Sequence, residues 1–269
     1  MKLKMWQVDA FAQRSLEGNP AALVPLESFI ATGLMQKIAN ENNLAETAFF
    51  VRTGKGQYDL RWFTPQTEVD LCGHATLASA HLIFTQLDPT LDQVSFATRS
   101  GTLSVMRGHD GWNDMSLPAD PPTPWANQSF AADLGAAFGV EPPRELYRAR
   151  YVMAVWDEPQ SVARIEGPGK IGALMRAQGM WGLIATARGG GDYDFVSRFF
   201  APDKGVPEDP VTGSAHCCLT PFWARRLGKK ELYARQISAR GGNLRCTDAG
   251  ARTILSGPCA IYMEADIFL

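Results

Sequence analysis

The feature that most restricts the fold of this chain is that it repeats itself. YDLRWFTP (Tyr58–Pro65) returns as YDFVSRFFAP (Tyr193–Pro202), each an alternating strand closed by Arg, aromatic residues and Pro. After the first Pro comes EVDLCGHATLASAH and after the second PEDPVTGSAHCCLTPFW, both placing Gly and a small or polar residue directly before an apolar, Ala-rich helix. ATRSGTLSV (Ala97–Val105) then matches SARGGNLRC (Ser238–Cys246), with Arg, Gly and Leu at equal spacing and strand on either side. Three matches in one order predict two copies of a single domain.

Each copy reads as strand, Pro turn, Gly-opened helix and strands broken by glycine turns, which is the α+β class. The helices ATLASAHLIF and AHCCLTPFWARRL are apolar over most of their circumference, as suits a helix enclosed by sheet. The expected architecture is two similar, pseudo-symmetric domains, each a curved sheet wrapped around a central helix. The expected bounds are 1–116, with a returning C-terminal strand 260–269, and 117–259. The Pro-rich stretch LPADPPTPWANQS (Leu117–Ser129) serves as linker, and EGPGK reads as a turn before the helix IGALMRAQ.

Composition narrows the function classes. A length of 269 residues suits two domains of roughly 100 to 150 residues. With 26 basic and 28 acidic residues the net charge is −2, so there is no broad basic field for phosphate backbones, and nucleic acid is not an expected partner. No run of about eighteen apolar residues occurs, and MKLKMWQVDAF has no apolar stretch behind its lysines. A cytoplasmic protein without a membrane span is the expectation. Its five cysteines are an odd number in a chain large enough to need no staples, and are expected to be reduced.

Several residues could carry chemistry. Gly73 and Gly213 open the two central helices, where unpaired first-turn N–H groups attract an anion such as a carboxylate; they could equally serve only to permit tight strand-to-helix turns. Glu46 lies in NENNLAETAFF, on a strand where Leu44, Glu46, Ala48 and Phe50 share a face. Apolar neighbours would favour its neutral form and raise its pKa toward the range of a general acid/base, whereas on an edge strand it would simply face solvent. His74 and Asp209 flank the helix starts, and Asp209, Thr212 and Ser214 line up with the loop that the first copy fills with Asp70, Cys72 and His74. A zinc site from Cys72, His74, His216 and Cys217 is disfavoured because no C-x-x-C pair occurs and adjacent His216 and Cys217 point different ways from a helix. No phosphate-binding G-x-x-x-x-G-K-[ST] is present either. Chemistry without cofactor or metal is expected. Arg61, Arg99, Arg198 and Arg240 either anchor acidic groups or brace the repeated strands, and their symmetry favours bracing.

GNPAALV (Gly18–Val24), NLAETAF, RWFTPQTEVDLCGHATLASA, EDPVTGSAH and ISARGG together resemble, in order and along nearly the whole chain, the phenazine-biosynthesis isomerase (PhzF-like) family, which shares the diaminopimelate epimerase fold. The resemblance implies an active site between two similar domains, with Glu46 as the catalytic carboxylate. It implies that Asn19, His74, Asp209 and Ser214 hold substrate, and that Gly73 and Gly213 offer helix-start amides. The racemases and epimerases of this fold use two thiols, one at each central helix. Here Cys72 matches the first position, while the second falls near Thr212, too weak an acid to serve as a base.

The sequence therefore predicts a cofactor-free isomerase that moves a proton in a small carboxylate-bearing amino or hydroxy acid, Glu46 acting as acid and base, with a homodimer as a possible assembly. The rivals are a racemase or epimerase using Cys72, and a protein of the same fold that only binds a ligand or partner.

Overall fold

The computed structural model describes residues 1–167 and 171–269. It divides into two compact units, Met1–Leu117 with Ile254–Leu269, and Pro118–Thr253. The helix after EGPGK starts at Ile171, and residues 168–170 of that proposed turn lie outside the described residues.

The first unit runs β1 (Lys2–Ala10), β2 (Asn19–Leu26), α1 (Thr32–Asn42), β3 (Glu46–Gly54), β4 (Gln57–Phe63), β5 (Glu68–Val69), α2 (Gly73–Leu82), β6 (Gln93–Thr98), β7 (Gly101–Arg107) and β8 (Trp112–Pro118). The second continues with β9 (Thr123–Pro124), α3 (Gln128–Phe138), β10 (Glu145–Arg148), β11 (Val152–Trp156), α4 (Pro159–Ala163), α5 (Ile171–Ala177), β12 (Leu183–Arg188) and β13 (Phe195–Ala201). It closes with β14 (Val206–Asp209), α6 (Gly213–Leu227), β15 (Glu231–Gln236) and β16 (Gly242–Asp248), before β17 (Arg252–Phe268). Along Cys259–Phe268 that last strand pairs antiparallel with β1.

Strand pairing bears out the duplication. In the first unit β1 and β2 are antiparallel, β2 and β3 parallel, β3 and β4 antiparallel, β4 and β6 parallel, and β6 and β7 antiparallel. The second unit repeats this sequence of senses through β10, β11, β12, β13, β15 and β16. The α+β class with two similar halves is thus observed.

The strand β2 is covered on both faces and is apolar over most of its length. Ala21, Leu23, Ala22 and Val24 of β2 are all fully buried. Ala22, Val24 and Phe49 pack with Met35 and Ile38 of α1. Because side chains alternate along a strand, Glu46, Ala48 and Phe50 occupy the opposite face, the one against which α2 lies. Nearly every residue of α2 is buried, as expected of a helix enclosed by sheet. In the second unit Leu183, Ala185 and Phe200 join Phe130, Phe138 and Met175 in a core with α3 and α5. On the other face Thr186 accepts a 3.0 Å hydrogen bond from the indole N–H of Trp223 on α6.

Candidate active site

In the first unit four of the sequence-predicted residues come together. Glu46 is the first residue of β3, held between Ala21 of β2 and the antiparallel β4. It is therefore not an edge-strand glutamate, and its side chain is only 18% exposed. His74 is the second residue of α2, inside the helix rather than beside it, and is buried. Its Nε2 lies 3.1 Å from Oε2 of Glu46. The contact is an ion pair without a directed hydrogen bond, since Oε2 is buried yet lacks a hydrogen-bonding partner. On the ring's other side the Nδ2 of Asn19, fully buried, sits 3.2 Å from Nδ1.

Asn19 reaches that place because of the residue before it. Gly18 has φ +62°, and a Cβ there would stand 2.1 Å from the carbonyl oxygen of Ala10. Only glycine admits this approach, which is the physical content of the GNPAALV motif.

Cys72 is the N-cap of α2, in extended conformation, and no side chain caps the helix start. Gly73 follows as the first helical residue, so first-turn N–H groups are left for another acceptor. The Cys72 sulfur stands 3.5 Å from Nδ1 and 4.0 Å from Nε2 of His74. Being nearly equidistant from both nitrogens, it faces the ring rather than extending from either one. The apolar setting expected of Glu46 is thereby corrected: Ala48 and Phe50 do share its face, but its nearest polar neighbours are an imidazole and a thiol.

Electrostatics separates the two groups nearest Glu46. Burial pushes the Cys72 thiol up to about 11, aided by the Glu46 charge, so it is protonated at neutral pH. Burial alone would lower the pKa of His74, but the thiol and the Glu46 carboxylate more than offset this and hold it well above its ordinary value.

The second unit presents its own set around α6. Thr212 is the N-cap, at the position Cys72 holds in the first unit, again with no capping side chain, and Gly213 is the first helical residue. Asp209, the last residue of β14, accepts a 2.5 Å hydrogen bond from the Thr212 hydroxyl. Ser214 Oγ lies 2.8 Å from the hydroxyl of Tyr151. Asp209, Gly213 and Ser214 thus share one strand-to-helix corner.

Two residues here escaped the sequence reading. Gln236, fully buried, accepts from the Thr212 backbone N–H and donates to the Asp209 carbonyl and Thr212 hydroxyl. Tyr151 packs edge-on against Trp181 and Phe199. A glutamine in a strand and a tyrosine before one carry no local signal, although Gln236 directly precedes the ISARGG motif.

Arg61, Arg99 and Arg198 brace. Arg61 pairs with Glu68 through two 2.8 Å hydrogen bonds, and Arg99 reaches the same carboxylate at 2.7 Å. Arg198 grips Glu208 in the same two-pronged way at 2.6 and 2.8 Å. Of the disfavoured zinc set, Cys72 and His74 do meet, but with Glu46. His216 Nδ1 instead donates to the Thr212 carbonyl, and Cys217 to that of Gly213.

No helix among the described residues is long and apolar enough to cross a membrane. The profile of a family described as phenazine biosynthesis-like protein (PhzC/PhzF) matches residues 8–265. An uncharacterized isomerase of Pseudomonas aeruginosa is 46% identical over 269 residues, covering all of both chains. The crystal structure of a PhzF-family phenazine biosynthesis protein from Enterococcus faecalis superposes with a TM-score of 0.92 at 38% identity over the whole of both chains. A hydroxyproline epimerase from Agrobacterium vitis, solved with trans-4-hydroxy-L-proline, gives a TM-score of 0.62 at 11% identity, covering 99% of this chain and 91% of that one; this is a likeness of fold.

Proposed function

The chain belongs to the phenazine biosynthesis-like (PhzC/PhzF) family and is an isomerase, and from that premise we propose that it moves a proton within a small carboxylate-bearing amino or hydroxy acid, with Glu46 as the acid and base. The observation that carries this reading is the Glu46 carboxylate lying 3.1 Å from the buried His74 at the uncapped start of α2. Glu46 takes a proton from one carbon and returns it to another on the same face, which a single carboxyl group can do if it reaches both. His74 and Asn19 orient the substrate's polar groups, and the amide at Gly73 offers a donor to developing negative charge. In the second unit Asp209, Gly213 and Ser214 take the substrate-holding role expected of them.

The reading is tested with a panel of small unsaturated amino and hydroxy acids incubated in D2O, following carbon-bound deuterium by mass spectrometry. A substrate should exchange, and Glu46→Gln should slow that exchange by about 10²- to 10⁴-fold. Exchange surviving within a few-fold would remove Glu46 from the role. The thiol-based alternative has Cys72 in contact with His74 in its favour. It predicts instead that Cys72→Ser abolishes exchange and that substrate is inverted at a stereocentre, and a thiol protonated up to about 11 speaks against it.

A further inference from the structure

We propose that Tyr151 is a positioning residue for Ser214: its phenol O–H donates to the serine oxygen, so that the serine's own hydrogen is given onward to a substrate carboxylate. The strand registers of the two units make this pair the counterpart of Glu46 and His74. Arg61 and Arg198 each stand four residues before the Pro that closes the repeated segment. Across the antiparallel ladders Arg61 pairs with Phe49, and Arg198 with Ala185. Three residues before these partners lie Glu46 and Gly182, which therefore correspond. On the parallel side Ala21 pairs with Glu46, while Val152 pairs with Leu183, which sets Tyr151 beside Gly182.

Large and small residues are thus exchanged between the copies. Alanine lies beside Glu46 in the first unit, and glycine beside Tyr151 in the second. Space requires the glycine, since a Cβ on Gly182 would stand 2.7 Å from Cδ1 of Tyr151 and 2.9 Å from Cζ of Phe199. The ring seated there is held edge-on by Trp181 and Phe199, with centroids 5.0 and 4.8 Å away. His74 and Ser214 are in turn the second residues of α2 and α6. Each unit therefore sets an acidic group against the second residue of its central helix: Oε2 of Glu46 lies 3.1 Å from Nε2 of His74, and the Tyr151 hydroxyl 2.8 Å from Ser214 Oγ.

Chemistry gives that second bond its direction. A phenol is a stronger acid than a serine hydroxyl and so the better donor, and the nearby Arg150 guanidinium, which can only donate, favours the phenol oxygen as acceptor. Burial pushes the phenol above its ordinary value near 10, so its hydrogen is present throughout the neutral range. Ser214 then passes its hydrogen on at a helix start whose first-turn amides already favour an anion, and each bond in such a chain polarises the next. That Ser214 holds substrate rests on the function proposed above; the direction of the hydrogen bond does not.

The first test needs no substrate. In protein labelled with ¹³C at tyrosine Cζ, NMR should show a slowly exchanging Tyr151 hydroxyl proton, assigned by its absence from Tyr151→Phe or, should that variant not fold, through contacts of the Tyr151 ring with Trp181 and Phe199. It should move upfield in Ser214→Ala, which removes its acceptor. A proton too fast to be seen, or one that Ser214→Ala leaves in place, overturns the proposal. The second test uses an acid that exchanges in the D2O panel. Tyr151→Phe should raise KM about 3- to 10-fold with kcat held, and the same change made in Ser214→Ala should have no further effect, because the phenol acts only through the serine. An equal cost in both backgrounds, as a structural role would give, or a loss confined to kcat overturns the proposal. If no acid exchanges, or exchange survives Glu46→Gln, the isomerase role of Glu46 falls while the hydroxyl proton still decides for or against Tyr151.

Discussion

Nε2 of His74 and Oε2 of Glu46 are 3.1 Å apart, an imidazole on a helix meeting a carboxylate on a strand inside the first unit. Burial opposes a proton on this histidine, and the neighbouring Cys72 and Glu46 favour it and hold its pKa above the ordinary value. The His74 ring, followed by ¹⁵N-edited NMR, should therefore titrate well above free imidazole. In Glu46→Gln the midpoint should fall, since one of the two groups that favour the proton is lost. A midpoint unmoved by that change would mean that the two side chains are not coupled.

Two other histidines run the opposite way. Burial holds His216 down to about 4, and burial with the nearby Arg107 charge holds His81 down to about 4. In the unfolded chain each takes up a proton at about 6.5, whereas the folded chain resists until about 4. Stability is thus full above pH 6.5, drains as pH falls and levels off below about 4, each histidine contributing up to about 3 kcal/mol of the loss. Urea midpoints at neutral pH and at pH 5 should separate, and His216→Gln should narrow the gap. An equal gap in that variant would show that His216 is not its source.

The arginine braces make a prediction about stability. Arg198 is 11% exposed, and beyond Glu208 it donates to the carbonyls of Val162 and Ile165. Arg198→Leu strands a largely buried Glu208 and should cost about 3 to 5 kcal/mol in urea unfolding. Arg198→Lys keeps the charge but loses the fork and should fall between. If Arg198→Leu proved neutral, the pair would be a surface decoration.

Gln236 organises the corner that carries Asp209 and Thr212. Gln236→Leu leaves the Thr212 N–H without its acceptor in a buried place, at a cost of about 1 to 3 kcal/mol. Thermal denaturation should show a lower midpoint, and hydrogen exchange at Thr212 should speed up. Exchange unchanged at that amide would mean that the glutamine does not hold the corner.

Much of this molecule is visible in the amino-acid order, because hydrophobic alternation and turn residues act locally. The duplicated YDLRWFTP and YDFVSRFFAP segments announce β4 and β13, and glycines announce the starts of α2 and α6. Resemblance in five ordered motifs pointed to Glu46 and His74. Which face Glu46 takes also follows from its alternation with Thr47 and Phe49.

Only tertiary structure decided what surrounds that face. Glu46, Cys72 and His74 meet because β3 pairs parallel to β2 beneath α2, and distances across packed elements depend on contacts far apart in the chain. The same holds for Gln236 reaching Thr212 and Tyr151 reaching Ser214, where the partner is distant in the chain. Local propensity sets the strands and helices, but the field at a side chain is a sum over neighbours in space, and that sum turned an expected apolar pocket for Glu46 into a cluster of carboxylate, imidazole and thiol.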